Sequence, residues 1–417
     1  MWSLPLVAGA LAMMAPRPDA ELGASGQVRG GVTPTMPGSP PMRELRFTVE
    51  PYAEGSLRTR RWSSNLRYSL RPNWRIPAPA GNARPLLYHE ATSLTSLQWT
   101  RRLAQTLTLN AGVGELDYFG LVGAFTEGQQ TLPAAQTQRR VTFGATVGSD
   151  VRLSPRHQIE VRTRGEYDGS APPSAWHEPP DENTRLFPLR YTVDAQINDR
   201  LAVSRRTTLV SSATAVYSQL STQQAFVSAS AMVSGEHRFT ADLTGTLGGG
   251  VVYARRTSCL RPGENGSPLA PVVLGSLSRR MVNRRGRLFT LGVDGSYTSM
   301  VDYVQASIVR MTSLGIRGGF SDGQKWRSAL SLYASSRNIV GDVPATDLFL
   351  AESEAIGADL NVTYTASDRW RYSAGVRGDL RANLRDGAGL DASRLGAWAY
   401  VQVDARLWTT RPTRRPR

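Results

Sequence analysis

The residues of this chain best able to do chemistry are four histidines, one cysteine and a recurring alternation of carboxylates with guanidiniums. Nucleophilic or acid–base catalysis needs a nucleophile held against an oriented base. His89, His157, His177 and His237 do not supply that pattern. Two sit in tight polar links, one in the Pro-rich stretch Ala175-Trp-His-Glu-Pro-Pro, and one near a strand start. None has a second ligand at metal-binding spacing. Cys259 is alone, which excludes an intramolecular disulfide and a cysteine metal cluster, and no neighbour activates its thiol. Gly245-Thr-Leu-Gly-Gly-Gly250 has the glycines of a phosphate loop without the Lys-Ser/Thr that follows one. Inside a strand pattern such glycines fit curvature better. No catalytic residue, cofactor site or metal site is expected, and the chain does not read as an enzyme.

The charged alternation is more informative. In Gln158-Ile-Glu-Val-Arg-Thr-Arg-Gly-Glu-Tyr167, the residues Ile159, Val161, Thr163, Gly165 and Tyr167 share one face, and Glu160, Arg162, Arg164 and Glu166 the other. A period of two means an extended strand, whose successive side chains point to opposite sides. The same phase puts Arg190, Asp194, Asp242, Asp294, Asp359, Arg377, Asp379, Asp404 and Arg406 on polar faces of later strands. Facing a wet lumen, these thirteen residues are candidates for a pore lining whose field selects solutes. Equally, they can pair across strands and brace the wall. Trp398 and Tyr400 fall on the same inner face, where they form either a sugar-stacking surface or girdle residues in a shifted register.

The elements that would position these residues are strands throughout. Leu45/Phe47/Val49, Leu66/Tyr68/Leu70, Leu107/Leu109/Ala111/Val113, Val141/Phe143/Ala145/Val147, Leu189/Tyr191/Val193, Phe289/Leu291/Val293 and Leu360/Val362/Tyr364 all alternate with polar partners. A sandwich would bury both sheets' inner faces, whereas here one face stays polar in nearly every strand. A solenoid would show a fixed repeat, and none is present. After the first 15 residues no apolar run approaches the roughly 18–20 residues a membrane helix needs. The pattern predicts an all-β fold: a transmembrane antiparallel β-barrel with the apolar face toward lipid. About 17 candidate strands lie between residues 43 and 408, and single-chain bacterial barrels have even counts, so about 16 strands (14–18) are expected. Tight links at 154–157, 235–238, 283–286, 321–324 and 367–369 alternate with longer ones near 73–87, 115–138, 168–186, 256–270, 338–353 and 383–393. Short periplasmic turns and longer extracellular loops give that alternation. Two stretches break phase: Leu94 and Leu97 in 88–100, and Arg310 in 302–320, where a bulge would restore it.

Residues 1–20 read as a signal peptide, atypical or truncated because no basic residue precedes the apolar stretch. Residues 21–42 read as a Pro/Gly-rich linker, 43–408 as the barrel and 409–417 as a basic tail. The net charge is +15 and almost wholly arginine, Lys325 being the single lysine. A basic balance raises nucleic-acid binding, but no basic helix, zinc-finger spacing or RNA-binding aromatic signature accompanies it. The arginine excess instead suggests a mild preference for anionic solutes.

The block Phe47-Thr-Val-Glu-Pro-Tyr, Arg58-Thr-Arg-Arg and Asn65-Leu-Arg-Tyr-Ser-Leu-Arg-Pro resembles a β-barrel porin family of Gram-negative outer membranes, and Trp99-Thr-Arg-Arg-Leu and Val113-Gly-Glu-Leu-Asp-Tyr118 are in the same style. The resemblance implies outer-membrane lipid and the barrel-assembly machinery as partners, and periplasmic polysaccharide-export components as a further one; no nucleic acid is implied. Trp408, closing the last strand, resembles the terminal signal such machinery reads, although nine residues follow it here. The expectation is a porin-like channel for polar solutes in the bacterial outer membrane, with exopolysaccharide export as its narrower form. The alternative is a structural or adhesive barrel acting through its outer loops, with no open pore.

Overall fold

The chain was analysed as a computed structural model that describes residues 17–33, 42–76, 85–117, 137–169, 190–220, 225–256, 269–302 (without 284), 307–340, 353–383 and 394–410. Within them the strands are β1 (Arg17–Thr33), β2 (Met42–Arg58), β3 (Trp62–Ile76), β4 (Leu86–Gln98), β5 (Leu103–Asp117), β6 (Thr137–Ser154), β7 (His157–Gly169), β8 (Arg190–Ala202) and β9 (Thr207–Leu220). The circuit continues with β10 (Ala225–Arg238), β11 (Leu243–Arg256), β12 (Leu269–Val282), β13 (Leu288–Asp302), β14 (Ser307–Ser321), β15 (Trp326–Val340), β16 (Ser353–Thr365), β17 (Trp370–Asn383) and β18 (Arg394–Thr409). Each strand pairs antiparallel with its neighbours in sequence, and β1 closes the circuit against β18 from Glu21 opposite Thr409 to Val32 opposite Ala397.

Closure explains the count. The barrel has 18 strands, close to the expected 16 and at the upper end of the 14–18 range; the candidates after residue 43 match β2–β18 in number, and the strand not foreseen is β1. The linker expected over 21–42 is therefore corrected: residues 17–33 are a strand. Its composition, rich in Ala and Gly with only two Val and one Leu, hides the alternation, but Leu22, Val28 and Val32 share the outer side, and Glu21, Gln27 and Arg29 the inner side. Of the expected signal peptide, residues 17–20 belong to β1, and residues 1–16 lie outside the described residues, as do 411–417 of the expected tail.

Strands of 13 to 18 residues, tilted by about 40°, rise roughly 33–47 Å, more than the apolar band of about 25 Å such a barrel needs. The outer face carries that band: Leu66, Leu107, Val147, Ile197, Leu247, Leu291, Ile316, Leu360 and Val401 are all exposed on it. At the short-turn end the band meets an aromatic girdle. Trp62, Trp326 and Trp370 each begin a rising strand, Phe289 lies 5.0 Å from Phe320, and Trp326 lies 4.6 Å from Tyr364, centroid to centroid. Amphipathic rings settle at this depth because one edge meets headgroups and the other acyl chains. Trp408 joins the girdle through a bulge: Leu22 opposes Trp408 but Gly23 opposes Arg406. The extra residue returns Trp408 to the outer side, which strict alternation from Arg406 would have denied it. The physical character is that of a membrane-spanning barrel of the bacterial outer membrane.

The two out-of-phase stretches are resolved without the expected bulge. β14 runs in unbroken register against β13, with Tyr297 opposite Thr312 and Ser299 opposite Arg310. Arg310 is thus on the outer side, eleven residues above the β14 turn, where a long side chain can reach the interface. Leu94 opposes Asn65 and Thr108, and its side chain faces the lumen, 52% exposed. In both strands the ladder hydrogen bonds override the hydrophobic pattern. One turn also moves: Gly235–Arg238 belongs to β10, and the chain reverses at residues 239–242.

The short turns are closed by their own polar residues. Asp322 accepts backbone N–H bonds from Gln324, Lys325 and Trp326 at 2.8, 2.8 and 2.9 Å. The bond from Trp326, and then that from Gln324, hold its carboxyl below the usual carboxylate range. A depressed folded pKa contributes stability that is present above the unfolded value of about 4 and is lost as pH falls through the folded value. Asp322→Ala is therefore expected to lower the denaturation midpoint at neutral pH, and the gap to the parent should shrink as pH falls below about 4. A gap that stays constant down to acid pH would contradict the assignment.

Candidate functional site

The inner wall is where the charged residues gather. On β7, Glu160, Arg162, Arg164 and Glu166 face the lumen, opposite Asn198, Gln196, Asp194 and Thr192 of β8. Arg162 donates to Glu160 at 2.5 Å, Arg164 pairs with Glu166, and Arg190 reaches Glu166 at 3.3 Å. Asp294 on β13 meets Arg317 of β14 at 3.2 Å. Asp359 lies opposite Arg377, and Asp404 opposite Arg371. Asp379 is buried on β17. Arg406 reaches Glu21 of β1 at 3.0 Å. Asp242 differs from the others: it lies in the turn before β11, at the short-turn mouth beyond the end of the wall. There it accepts from Thr240 at 2.5 Å and from Arg279 at 3.2 Å, and these bonds hold its carboxyl below the usual range.

Several inner-wall groups escaped the sequence reading because their partners come from other strands. Glu50 of β2 accepts from Arg67 and Arg71 of β3, and Arg71 continues to Glu90 of β4 at 2.8 Å. Tyr88 of β4 bonds Thr142 of β6 at 2.9 Å, and Arg140 of β6 reaches Asp168 of β7 at 3.2 Å. A belt of ion pairs thus runs round the wall from β2 to β8. Alternation could have placed each residue inward, but only the register says which carboxylate meets which guanidinium.

Trp398 and Tyr400 are on the lumen side, in continuous register with Arg29 and Gly31 of β1. The girdle reading of these two is therefore replaced. The Arg29 guanidinium lies 4.3 Å from the Trp398 ring centre, and Tyr400 bonds Asn361. Tyr400 spreads over Gly375 of β17, and Tyr333 over Gly357 of β16, each glycine leaving room a Cβ would fill. The rings lie flat along the wall instead of projecting across the lumen.

The wall is not uniform. Strands β9–β12, half the circuit away from β1, present Ser212, Thr214, Ser230, Thr246, Gly250 and Ser276 inward between their two ends, without a carboxylate or guanidinium among them. Toward the long links this sector turns apolar and buried, at Leu220, Phe226, Val252, Ala254 and Ala270. Nearer the short turns, inward residues such as Ser276, Ser278 and Arg152 are exposed.

The described histidines do not assemble a catalytic group. His89 bonds Tyr68 at 2.7 Å on the outer side, His157 pairs with Asp199 at 2.7 Å, and His237 meets Thr207 at 2.9 Å, the last two at the short-turn rim. His177 and Cys259 lie outside the described residues. Gly245–Gly250 is an uninterrupted part of β11.

No protein-family model matches the chain, and no curated protein matches it. Among solved structures, the outer membrane protein opdK from Pseudomonas aeruginosa is similar at 13% identity and TM-score 0.48, over 94% of this chain and 99% of that one. Pseudomonas aeruginosa OccK2 (OpdF), solved in complex with glucuronate, is similar at 11% identity and TM-score 0.47, over 93% and 98%. A structure described as a bacterial polysaccharide outer membrane secretin is similar at 9% identity and TM-score 0.37, over 92% and 98%. By its own architecture, the chain is a closed, porin-like outer-membrane barrel of 18 strands with a charged inner wall.

Proposed function

We propose that the barrel is a passive channel for polar solutes across the outer membrane. The supporting observation is the polar inner wall: charged or hydroxyl side chains face inward on every strand, apolar burial on the inner side of the described residues lies mainly toward the long-link ends, and barrels of 16–18 strands enclose water. The ion-pair belt braces the wall while keeping a hydrated surface along the path. Polysaccharide export is the narrower form of this reading, and an adhesive barrel without a pore is the competing one.

The test is conductance in planar bilayers with the refolded, heat-modifiable protein. Discrete ohmic steps are expected. Glu50→Gln with Glu166→Gln, which removes two lumen carboxylates, should shift the reversal potential in a salt gradient toward anion selectivity. A correctly folded barrel with no steps would sink the channel reading and leave the adhesive one.

A further inference from the structure

The arginine excess has a definite address. At seven hairpins the last turn residue before a rising strand accepts a backbone bond from the neighbouring descending strand: Arg61 from Gln98, Arg102 from Arg152, Arg156 from Ala202, Arg206 from Arg238, Asp242 from Arg280, Lys325 from Thr365 and Arg369 from Arg406. Six of these seven equivalent positions are basic. Each bond extends the strand ladder by one step beyond an outward residue: Trp62, Leu103, His157, Thr207, Leu243, Trp326 or Trp370. By the period of two, the step below falls on the lumen side. The basic residues therefore ring the mouth and do not belong to the lipid-facing girdle.

The ring also sets like charges side by side. Arg102 opposes Arg152, Arg206 opposes Arg238, and Arg369 opposes Arg406. Directly opposed like charges destabilise an antiparallel pair. A carboxylate offsets this for Arg406, through Glu21, and Asp242 stands beside Arg279. Arg61, Arg102, Arg156, Arg206, Lys325 and Arg369 are exposed, with no carboxylate within ion-pair distance among the described residues. Higher on the wall many of the charges are paired, as Arg71 is with Glu50 and Glu90, Arg140 with Asp168 and Arg190 with Glu166. The mouth is where cations are left over.

We propose that this ring captures a linear polyanion, a chain bearing repeated carboxylate or phosphate groups, at the short-turn mouth. Hairpins two strands apart place neighbouring cations roughly 10–12 Å from each other. A small anion would meet one position at a time, whereas a polymer engages several and gains by multivalency. A mouth lined by one sign of charge also concentrates its counter-ion and speeds capture by about ten-fold or more. The uncharged sector of β9–β12 then lets the chain slide without a continuous binding wall. The proposal rests on the channel reading for what happens after capture, but capture itself does not need a conducting pore.

The test uses the folded barrel in lipid nanodiscs, with fluorescent polygalacturonate and inorganic polyphosphate as probes and neutral dextran as control. Both polyanions should bind at low salt and be released as salt rises, and dextran should not bind. Arg61→Gln, Arg102→Gln, Arg206→Gln and Arg369→Gln combined should weaken binding about ten-fold or more. The same four positions changed to lysine should keep it, which separates charge from folding. In bilayers, polyanion added on the short-turn side should reduce conductance at lower concentration than on the other side. Unchanged binding by the folded glutamine variant would overturn the proposal. So would dextran binding as tightly, or polyanion binding that vanishes when anionic lipid is left out of the nanodisc. Charge-dependent binding without any conductance supports the ring and defeats the channel; conductance with charge-independent binding does the reverse.

Discussion

Asp168→Leu is expected to destabilise the barrel by about 4 kcal/mol, measured as unfolding by urea in detergent micelles. The Asp168 carboxylate accepts from Arg140 at 3.2 Å, and the Arg140 side chain is only 3% exposed. Removing the carboxylate takes this counter-charge from a buried guanidinium, and a buried charge that loses a partner costs far more than the intact pair contributes. The Arg140→Met, Asp168→Leu double variant should recover most of the loss, because two apolar side chains can replace a buried pair nearly neutrally. A single variant within about 1 kcal/mol of the parent would show that Arg140 is held mainly by its other contacts. The belt would then matter to the wall less than its geometry indicates.

Gly114→Ala should cost about 3 kcal/mol. Gly114 has φ of 152° on β5, opposite Tyr88 and Arg140. A Cβ built there would lie 2.1 Å from the Leu87 carbonyl oxygen and 2.6 Å from the Tyr88 Cα. Both obstacles are backbone, so no side-chain rotation relieves them, and the backbone angle itself is one that L residues rarely adopt. Gly165→Ala is the matched control: a Cβ at Gly165 meets nothing within 4 Å, and its effect should be within about 0.5 kcal/mol. Equal effects at the two glycines would show that β propensity governs, and that the close approach at Tyr88 does not.

These two sites mark where reading the chain by itself stops. Alternation placed Glu160, Arg162, Arg164 and Glu166 inward because period two is a local property of any strand, independent of its neighbours. The all-β class, the outward apolar stripe and the short-against-long link pattern are local in the same sense. Asp168, one step further along β7, belongs to the same face, yet its partner Arg140 lies 28 residues earlier on β6. Gly114 looks like any glycine at a strand end until Tyr88 is laid against it.

Other features were decided by closure. β1 has too few apolar residues to announce itself, and it becomes a strand because β2 and β18 both offer it unpaired backbone groups. Trp408 would face inward by counting, and the bulge that turns it outward comes from how β18 meets β1. Arg310 and Leu94 sit on the faces their registers impose, against their own polarity, because a strand shifts its ladder as a whole and a single residue cannot slip alone. The arginine excess was plain in composition, but its gathering into a ring was not. Arg61, Arg102, Arg156, Arg206 and Arg369 are scattered through the chain, and only the circular order of the hairpins brings them to one mouth. From β2 onward the sequence by itself determined that the chain runs in strands and, apart from residues such as Leu94, Arg310 and Trp408, which side of the wall each side chain meets, since both follow from local alternation. The tertiary structure alone decided which strands close the circuit, which charges pair and where the unpaired ones collect, because those depend on long-range register.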